Sequence, residues 1–351
     1  MKKEMTNDMT VGSPAKLIIQ FMIPMCLGNV FQQFYNIADS IIAGQFLGVN
    51  ALAAIGSTGS LMFFVTGWLQ WITTGIAILG SQWFGAKDMK RMRHYVAMSV
   101  YLTFAFALVM TIGFEFANEP ILRLREEDFR ISWQSMGRLL ALGIPMGLQF
   151  SITAIGTIIV QGAVNIYGAV YMAGFSAAGK LQNIIATVFT AFGATIATYV
   201  GQNRGAGKMD RVHKGVKYTQ IMVLAWSAVT MVLVYFLGKE MTLLFVSGTE
   251  TEVLHAAEIY FHAVFWAYPF LGSIFIYRNA LQGMGYGLVP MLGGVFELAA
   301  RALIVLLVAG KTSFFGVCLA DPAAWISALI PLIPYYIYVM KKYEKQKQLE
   351  G

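Results

Sequence analysis

"SQWFGAKDMKRM", residues 81–92, and "GQNRGAGKMDRV", residues 201–212, align without a gap at an offset of 120. Five of the twelve positions are identical: Gln82/Gln202, Gly85/Gly205, Ala86/Ala206, Met89/Met209 and Arg91/Arg211. Upstream, Ile-Pro-Met at 23–25 recurs at 144–146, and "LGVNALAAIGSTGSL", 47–61, echoes "YGAVYMAGFSAAGKL", 167–181. An internal repeat has to be recognised before a fold is assigned. Here the unit is a long helix containing Ile-Pro, a second helix, and a Gly-Ala basic loop. The basic loop follows the second helix in both copies, so both copies point the same way. That is a parallel repeat, related by an axis along the membrane normal, and a substrate cavity is expected between the two bundles.

The membrane itself follows from composition. Of 351 residues, 57% are hydrophobic and 12% charged, and the mean hydropathy is +0.63. Soluble domains carry roughly 25% charged residues. A bilayer span needs about 20 predominantly apolar residues. Nine stretches qualify: 17–46, 51–84, 94–116, 139–167, 171–200, 217–238, 255–277, 286–309 and 315–340. An all-α polytopic membrane protein is predicted. Lys and Arg cluster at 85–94, 204–217 and 341–347, which the positive-inside rule places in the cytoplasm. The net charge of +7 therefore reads as cytoplasmic loops, not as a nucleic-acid surface.

Two cysteines, Cys26 and Cys318, lie in apolar stretches, which argues against a disulfide framework. The polar N-terminus precedes a span too long for a signal-peptide core, so no cleavable signal is expected. No Walker A, HExxH, CxxC or G-x-S-x-G motif occurs. Neither an enzyme nor a metal site nor direct ATP drive is predicted, and no cofactor beyond a coupling ion. Nothing in the pattern fixes an oligomeric state.

Ionisable residues inside the predicted spans are few: Asp39, Lys180, His262, Glu297 and Arg301, with Glu115 near an end. Between Leu17 and Phe46, Asp39 is the single charge. An unpaired carboxylate in a membrane helix is a functional candidate by default. Asn36 lies one turn earlier on the same face, with Gln33 and Tyr35 nearby. Glu297 and Arg301 stand at i and i+4, the favourable order for an ion pair. They either neutralise one another as structure or face the cavity. Gln149, Gln161, Asn165 and Asn183 are uncharged polar residues that line a cavity or bond between helices. His262 reads as an interfacial group, and Lys180 as a snorkelling or capping one. Pro24 and Pro145 occupy the same place in the two copies, as packing kinks or as hinges.

The run "GNVFQQFYNIADSIIAGQFLGVNALAAIGSTGSL" resembles the first two helices of the multidrug and toxic compound extrusion (MATE) family. "GIPMGLQFSITAIGTIIVQGAVNIYG" is similar to its seventh helix, and "ATYVGQNRGAGKMDRVHKGV" to its eighth helix and following loop. "LQGMGYGLVPMLGGVFELAARALIVLLV" and "FGVCLADPAAWISALIPLIPYYIYVM" resemble its last two helices. The resemblance implies a two-lobed antiporter that exports cationic amphipathic compounds against H⁺ or Na⁺, surrounded by membrane lipid. It also implies that Asp39 matches the family's coupling aspartate on the first helix.

The family has twelve helices and this chain reads as about nine. The second repeat runs 206 residues from Pro145 to the C-terminus, the first only 121. The shortfall amounts to about three helices with their loops, and it falls on the last three helices of the first half. The expected organisation is a cytoplasmic segment 1–16, a three-helix bundle 17–116, a polar linker 117–138, a six-helix bundle 139–340 and a basic tail 341–351. A parity problem follows. The third helix ends outside, the helix after the linker begins inside, and the linker is too charged to be an ordinary span. Either an early segment fails to cross, or one half is inverted, or the chain is the product of an internal deletion. Two alternatives to drug export accompany this reading: a flippase for a lipid-linked or amphipathic substrate, expected to show a strongly basic cavity, and a non-transporting remnant. With topology reporters at residues 90 and 210, both report the cytoplasm; opposite faces would overturn the parallel repeat.

Overall fold

The computed structural model describes residues 8–42, 74–75, 77–110, 132–309, 311 and 313–350, excluding the side chains of 33–42, 103–110, 347 and 350. Eleven helices appear among the described residues. They are α1 (Pro14–Ile42), α2 (77–85), α3 (Met89–Met110), α4 (Trp133–Val164), α5 (Ala169–Gly205), α6 (Met209–Thr242), α7 (Thr251–Val264), α8 (Tyr268–Gly283), α9 (Leu288–Val308), α10 (Phe314–Cys318) and α11 (Ala320–Glu350). Short 3₁₀ turns at Asn165–Tyr167 and Phe265–Ala267 follow α4 and join α7 to α8. Among the described residues, seven helices or helix pairs are long and apolar enough to cross a bilayer. Six lie after residue 132, where the sequence predicts six, and the seventh is Pro14–Gln32. The expected spans 51–84 and 94–116 fall partly outside the described residues.

Two boundaries differ from expectation. α4 starts at Trp133, six residues before the predicted span, because Ser132 caps it: its Oγ accepts from the Ser135 N–H at 3.3 Å. The basic tail is helical, as a continuation of α11 to Glu350.

The repeat is visible in the backbone. At the end of α2, the N–H groups of Ala86, Lys87 and Asp88 donate to the carbonyls of Gln82, Phe84 and Trp83. At the end of α5, those of Ala206, Gly207 and Lys208 donate to Gln202, Arg204 and Asn203, each 120 residues on. Lys87 and Gly207 both take the left-handed conformation, at φ 58° and 71°. Gly207 adopts it freely; Lys87 does so against a steric penalty that the conserved turn geometry imposes.

The two basic loops lie at one end of the molecule and touch, so neither half is inverted relative to the other. The N-terminal segment joins them there. Lys208 Nζ donates to the Thr10 carbonyl at 3.0 Å. Asp8 closes a turn, accepting from the Thr10 N–H at 2.8 Å and the Thr10 hydroxyl at 2.6 Å. Burial pushes the Asp8 carboxyl up, but these bonds and the positive Lys87 and Lys208 outweigh it and hold it below its ordinary value. α4 also begins at this end. The Ser132 N–H lies 3.5 Å from Met98 Sδ, and Arg138 Nη1 lies 3.4 Å from the Tyr95 hydroxyl. α3, with 22 residues, rises about 33 Å, so the chain leaves it far from where α4 starts.

In hydrocarbon, helices pack through close backbone approach rather than through apolar burial. α5 is the central helix, against α1, α6, α7 and α8, and α9 lies between α4 and α11. A Cβ at Gly215 would stand 2.2 Å from the Tyr199 ring, one at Gly272 2.4 Å from Val223, and one at Gly174 2.8 Å from the Val253 carbonyl. Four buried hydroxyls are satisfied within their own helices: Thr195, Thr219, Ser227 and Thr242 each donate to the carbonyl four residues back. Large apolar side chains such as Phe236, Leu306 and Leu307 face outward, as lipid contact requires. Gly272→Val is expected to lower the thermal unfolding midpoint in detergent by several degrees, an overpacking cost of about 1–3 kcal/mol. Gly162→Val, at a site with nothing within 4 Å, leaves it unchanged.

Candidate functional site

Four spans converge on one charged cluster in the second half. Gln149 and Gly156 stand two turns apart on α4, and Gly294, Glu297 and Arg301 share a face of α9. The glycines set the spacing. A Cβ on Gly294 would meet the Gln149 carbonyl at 3.2 Å, and one on Gly156 would meet Arg301 Cδ at 3.1 Å. α4 and α9 therefore approach closely enough to enclose the side chains between them.

The charges form a chain. Arg278 Nη2 on α8 donates to Glu297 Oε1. Glu297 Oε2 accepts from Arg301 Nη1 at 3.4 Å. Arg301 Nε donates to Asp321 Oδ1 at 3.2 Å, and the Tyr260 hydroxyl to Asp321 Oδ2 at 3.1 Å. All four charged residues are at most 9% exposed. The Gln149 amide, turned with its oxygen toward Arg278, accepts from Nε at 2.9 Å and Nη1 at 3.1 Å, with its nitrogen beside the Gln282 amide. Asp321 enters in the first turn of α11, where the helix dipole favours an anion. At 1.5 Å per residue, Glu297 lies about 13 Å along α9 and Arg301 about 6 Å further, near the middle of a core about 30 Å thick. Two positive and two negative groups cancel, which is the condition for burying them at all.

The structure thus brings Gln149, Glu297 and Arg301 together and leaves other predicted residues apart. Gln161 is half-buried, Asn165 is exposed at the end of α4, and Asn183 is exposed with its carbonyl accepting from Thr187. Pro24 is exposed on α1, whereas Pro145 is buried beside Gly287 in the α8–α9 turn, where a Cβ built on Gly287 would stand 3.3 Å from its ring. Gln33, Tyr35, Asn36 and Asp39 lie on the helical backbone of α1, but their side chains are outside the described residues, as is Glu115. Lys180 places its ammonium 5.8 Å above the Phe245 ring, and His262 sits edge-on to Tyr235. Sequence reasoning missed Arg278 and Asp321. Arg278 falls one residue beyond the predicted span 255–277, and Asp321 near the start of 315–340; each reads singly as an end charge. The available signal is that they are opposite in sign and match the Glu297–Arg301 pair in number. A separate cavity of about 560 Å³ lies where the α4–α5 connection meets the start of α7, lined by Tyr167, Tyr171, Glu252 and His255 among others.

A parallel repeat of long apolar helices, with a buried, charge-neutral polar cluster inside its second copy, defines a polytopic helical membrane protein. The MatE family model matches residues 24–144 and again 145–307, so its two copies begin at Pro24 and Pro145. The chain belongs to the MATE family, whose members are transporters. It is 22% identical to the probable multidrug resistance protein YpnP of Bacillus subtilis (strain 168), over 79% of this chain and 84% of that one. It is 20% identical to the probable multidrug resistance protein YoeA of the same organism, over 92% and 93%. A MOP-superfamily transporter from Pyrococcus furiosus has the same fold at a TM-score of 0.85 and 12% identity, covering 97% of this chain and all of that one. The alignments to YpnP and YoeA run over 377 and 433 positions while drawing on only 79% and 92% of the 351 residues, so about a hundred positions of each lack a counterpart here. The chain is shorter than is typical of the family.

Glu297→Gln removes one charge from a buried quartet and leaves Arg278 without a carboxylate. It is expected to cost about 3–5 kcal/mol, the penalty for breaking a buried pair, read as a lower unfolding midpoint. The double variant Arg278→Met/Glu297→Met keeps the Arg301–Asp321 pair and recovers most of the loss.

Proposed function

We propose that this chain is a cation-coupled antiporter that exports small cationic amphipathic compounds across the cytoplasmic membrane, with H⁺ or Na⁺ as the coupling ion and Asp39 as the coupling residue. One observation carries the reading. The buried carboxylates described within the spans, Glu297 and Asp321, are each engaged by arginine, whereas Asp39 is the lone charge of its apolar segment. A carboxylate already held by guanidinium has no charge to offer a travelling cation. One without a fixed partner attracts a proton, a sodium ion or an organic cation, one at a time.

The position of the helix supports this role. α1 packs against α5, so it lies between the two halves, where a substrate passes in an alternating-access cycle. Asn36, one turn before Asp39, adds a ligand or hydrogen-bond donor on the same face. Occupation of Asp39 by the ion from outside displaces the drug; loss of the ion to the cytoplasm restores the charge. Gln33, Tyr35, Gln161, Asn165 and Asn183 are the proposed polar lining, and Pro24 the bend that lets α1 move. Gln149, Glu297 and Arg301 act in the second half as a fixed polar wall. The net charge of that wall is zero, which does not favour the flippase reading and its strongly basic cavity.

In an efflux-deficient host, the chain is expected to confer resistance to cationic dyes and disinfectants. Asp39→Asn keeps the shape and removes the charge. It abolishes gradient-driven efflux to the empty-vector level at unchanged membrane abundance. Full efflux by Asp39→Asn moves the coupling site elsewhere. A well-expressed wild type without efflux instead supports the remnant reading, which the hundred missing positions motivate.

A further inference from the structure

At the end that carries the basic loops, the repeat packs against itself. A Cβ built on Gly85, the last residue of α2, would lie 1.8 Å from the Gln202 carbonyl oxygen and 2.4 Å from its carbon. One built on Gly205, the last residue of α5, would lie 1.6 Å from the Gln82 carbonyl oxygen and 2.5 Å from its carbon. Each glycine meets the backbone of the glutamine three residues before its own counterpart, so the contact is reciprocal and two-fold related. A third contact joins the same helices: a Cβ on Gly201 would lie 2.0 Å from Ser81 Oγ. The atoms approached at Gly85 and Gly205 are backbone, which cannot swing aside. Gly80, in the same helix as Gly85, has nothing within 4 Å.

The two glutamine side chains differ in use. Gln82 Nε2 donates to the Gly283 carbonyl at 2.8 Å and ties α2 to the end of α8. Gln202 Oε1 accepts from the Met9 N–H at 2.7 Å. The Met9 carbonyl accepts from Asn203 Nδ2 at 3.0 Å and from Arg211 Nη2 at 3.3 Å, and that of Thr10 from Lys208. Met9 is fully buried and Thr10 nearly so. A segment that runs directly into α1 of the first half is therefore bonded along its backbone to the loop of the second half.

We propose that Gly85, Gly205 and the backbones of Gln82 and Gln202 form a latch that closes the cytoplasmic end, and that residues 8–10 are a strap that holds the latch shut. Gln202 is the joint of the device: its backbone meets Gly85 and its side chain holds the strap. Opening toward the cytoplasm separates the two glycine contacts and has to release or bend the strap. Any side chain at position 85 or 205 wedges the halves apart at this end. The inference rests on the transport reading for its consequence, since a transporter must open there, but the contact itself is testable without transport.

The test is a distance. Cysteines replace the exposed Lys90 and Asp210 in a chain carrying Cys26→Ser and Cys318→Ala. They are spin-labelled, and their separation is measured in lipid nanodiscs. The reference chain gives one short-distance population. Gly85→Ala and Gly205→Ala are each expected to shift most of it to longer distances, Gln202→Ala to shift part of it, and Gly80→Ala to shift none. An unchanged distribution in the two latch variants, or an equal shift in Gly80→Ala, overturns the latch. An unchanged distribution in Gln202→Ala overturns the strap. Gln202→Ala leaves both glycine contacts in place, so it reads the strap even if one glycine variant does not fold, and the other glycine variant then reads the latch. Absence of efflux in the reference chain bears on the transport reading and leaves this distance as it is.

Discussion

A bilayer core offers no hydrogen-bonding partner, and most of this structure follows from that. Every backbone amide must be bonded within its own segment, which leaves helices as the spanning elements. Buried hydroxyls turn to the carbonyls of their own helix, as those of Thr195, Thr219, Ser227 and Thr242 do one turn back. Every buried charge must find its opposite, which Arg278, Glu297, Arg301 and Asp321 do in series. Lipid tails are as apolar as leucine, so burial of leucine does not hold the helices together. Glycine does, by letting backbones approach, and the tight sites fall at crossings: Gly174 under α7, Gly215 under Tyr199, Gly272 under Val223.

The two halves solve the charge problem in different ways. The second half concentrates its charges into a neutral quartet on α8, α9 and α11, braced by Gln149 on α4. In the first half, Asp39 is the single charge between Leu17 and Phe46, and its helix α1 packs against α5. At the 121-residue offset of the Ile-Pro-Met motif, the counterpart of Asp39 is Val160, a buried apolar residue.

Symmetry survives where the halves must meet. The turns after α2 and α5 keep the same hydrogen bonds and the same left-handed residue, although only five of the twelve residues around them are shared. The residues retained include the two whose backbone or lack of side chain makes the reciprocal contact, Gln and Gly. The contact is present although about a hundred positions of the relatives are absent from this chain.

The sequence by itself determined the membrane class, the six spans after residue 132, the parallel sense of the repeat and the family. These rest on local properties: apolar runs set by bilayer thickness, charge bias between loops, and a period that survives in a turn. The pairing of Glu297 with Arg301 was also legible, because i and i+4 always meet on a helix. Only the tertiary structure decided that Arg278 and Asp321 complete that pair. They lie 19 and 20 residues from their partners, on other helices, and no periodicity relates them. It alone set Gln149 inside the cluster and Asn165 and Asn183 outside it, since a lone amide in a helix carries no mark of which face is covered. The meeting of Gly85 with Gln202, and of the N-terminal strap with the second loop, likewise belongs to the fold. The repeat shows that such residues are equivalent, but only packing makes them neighbours.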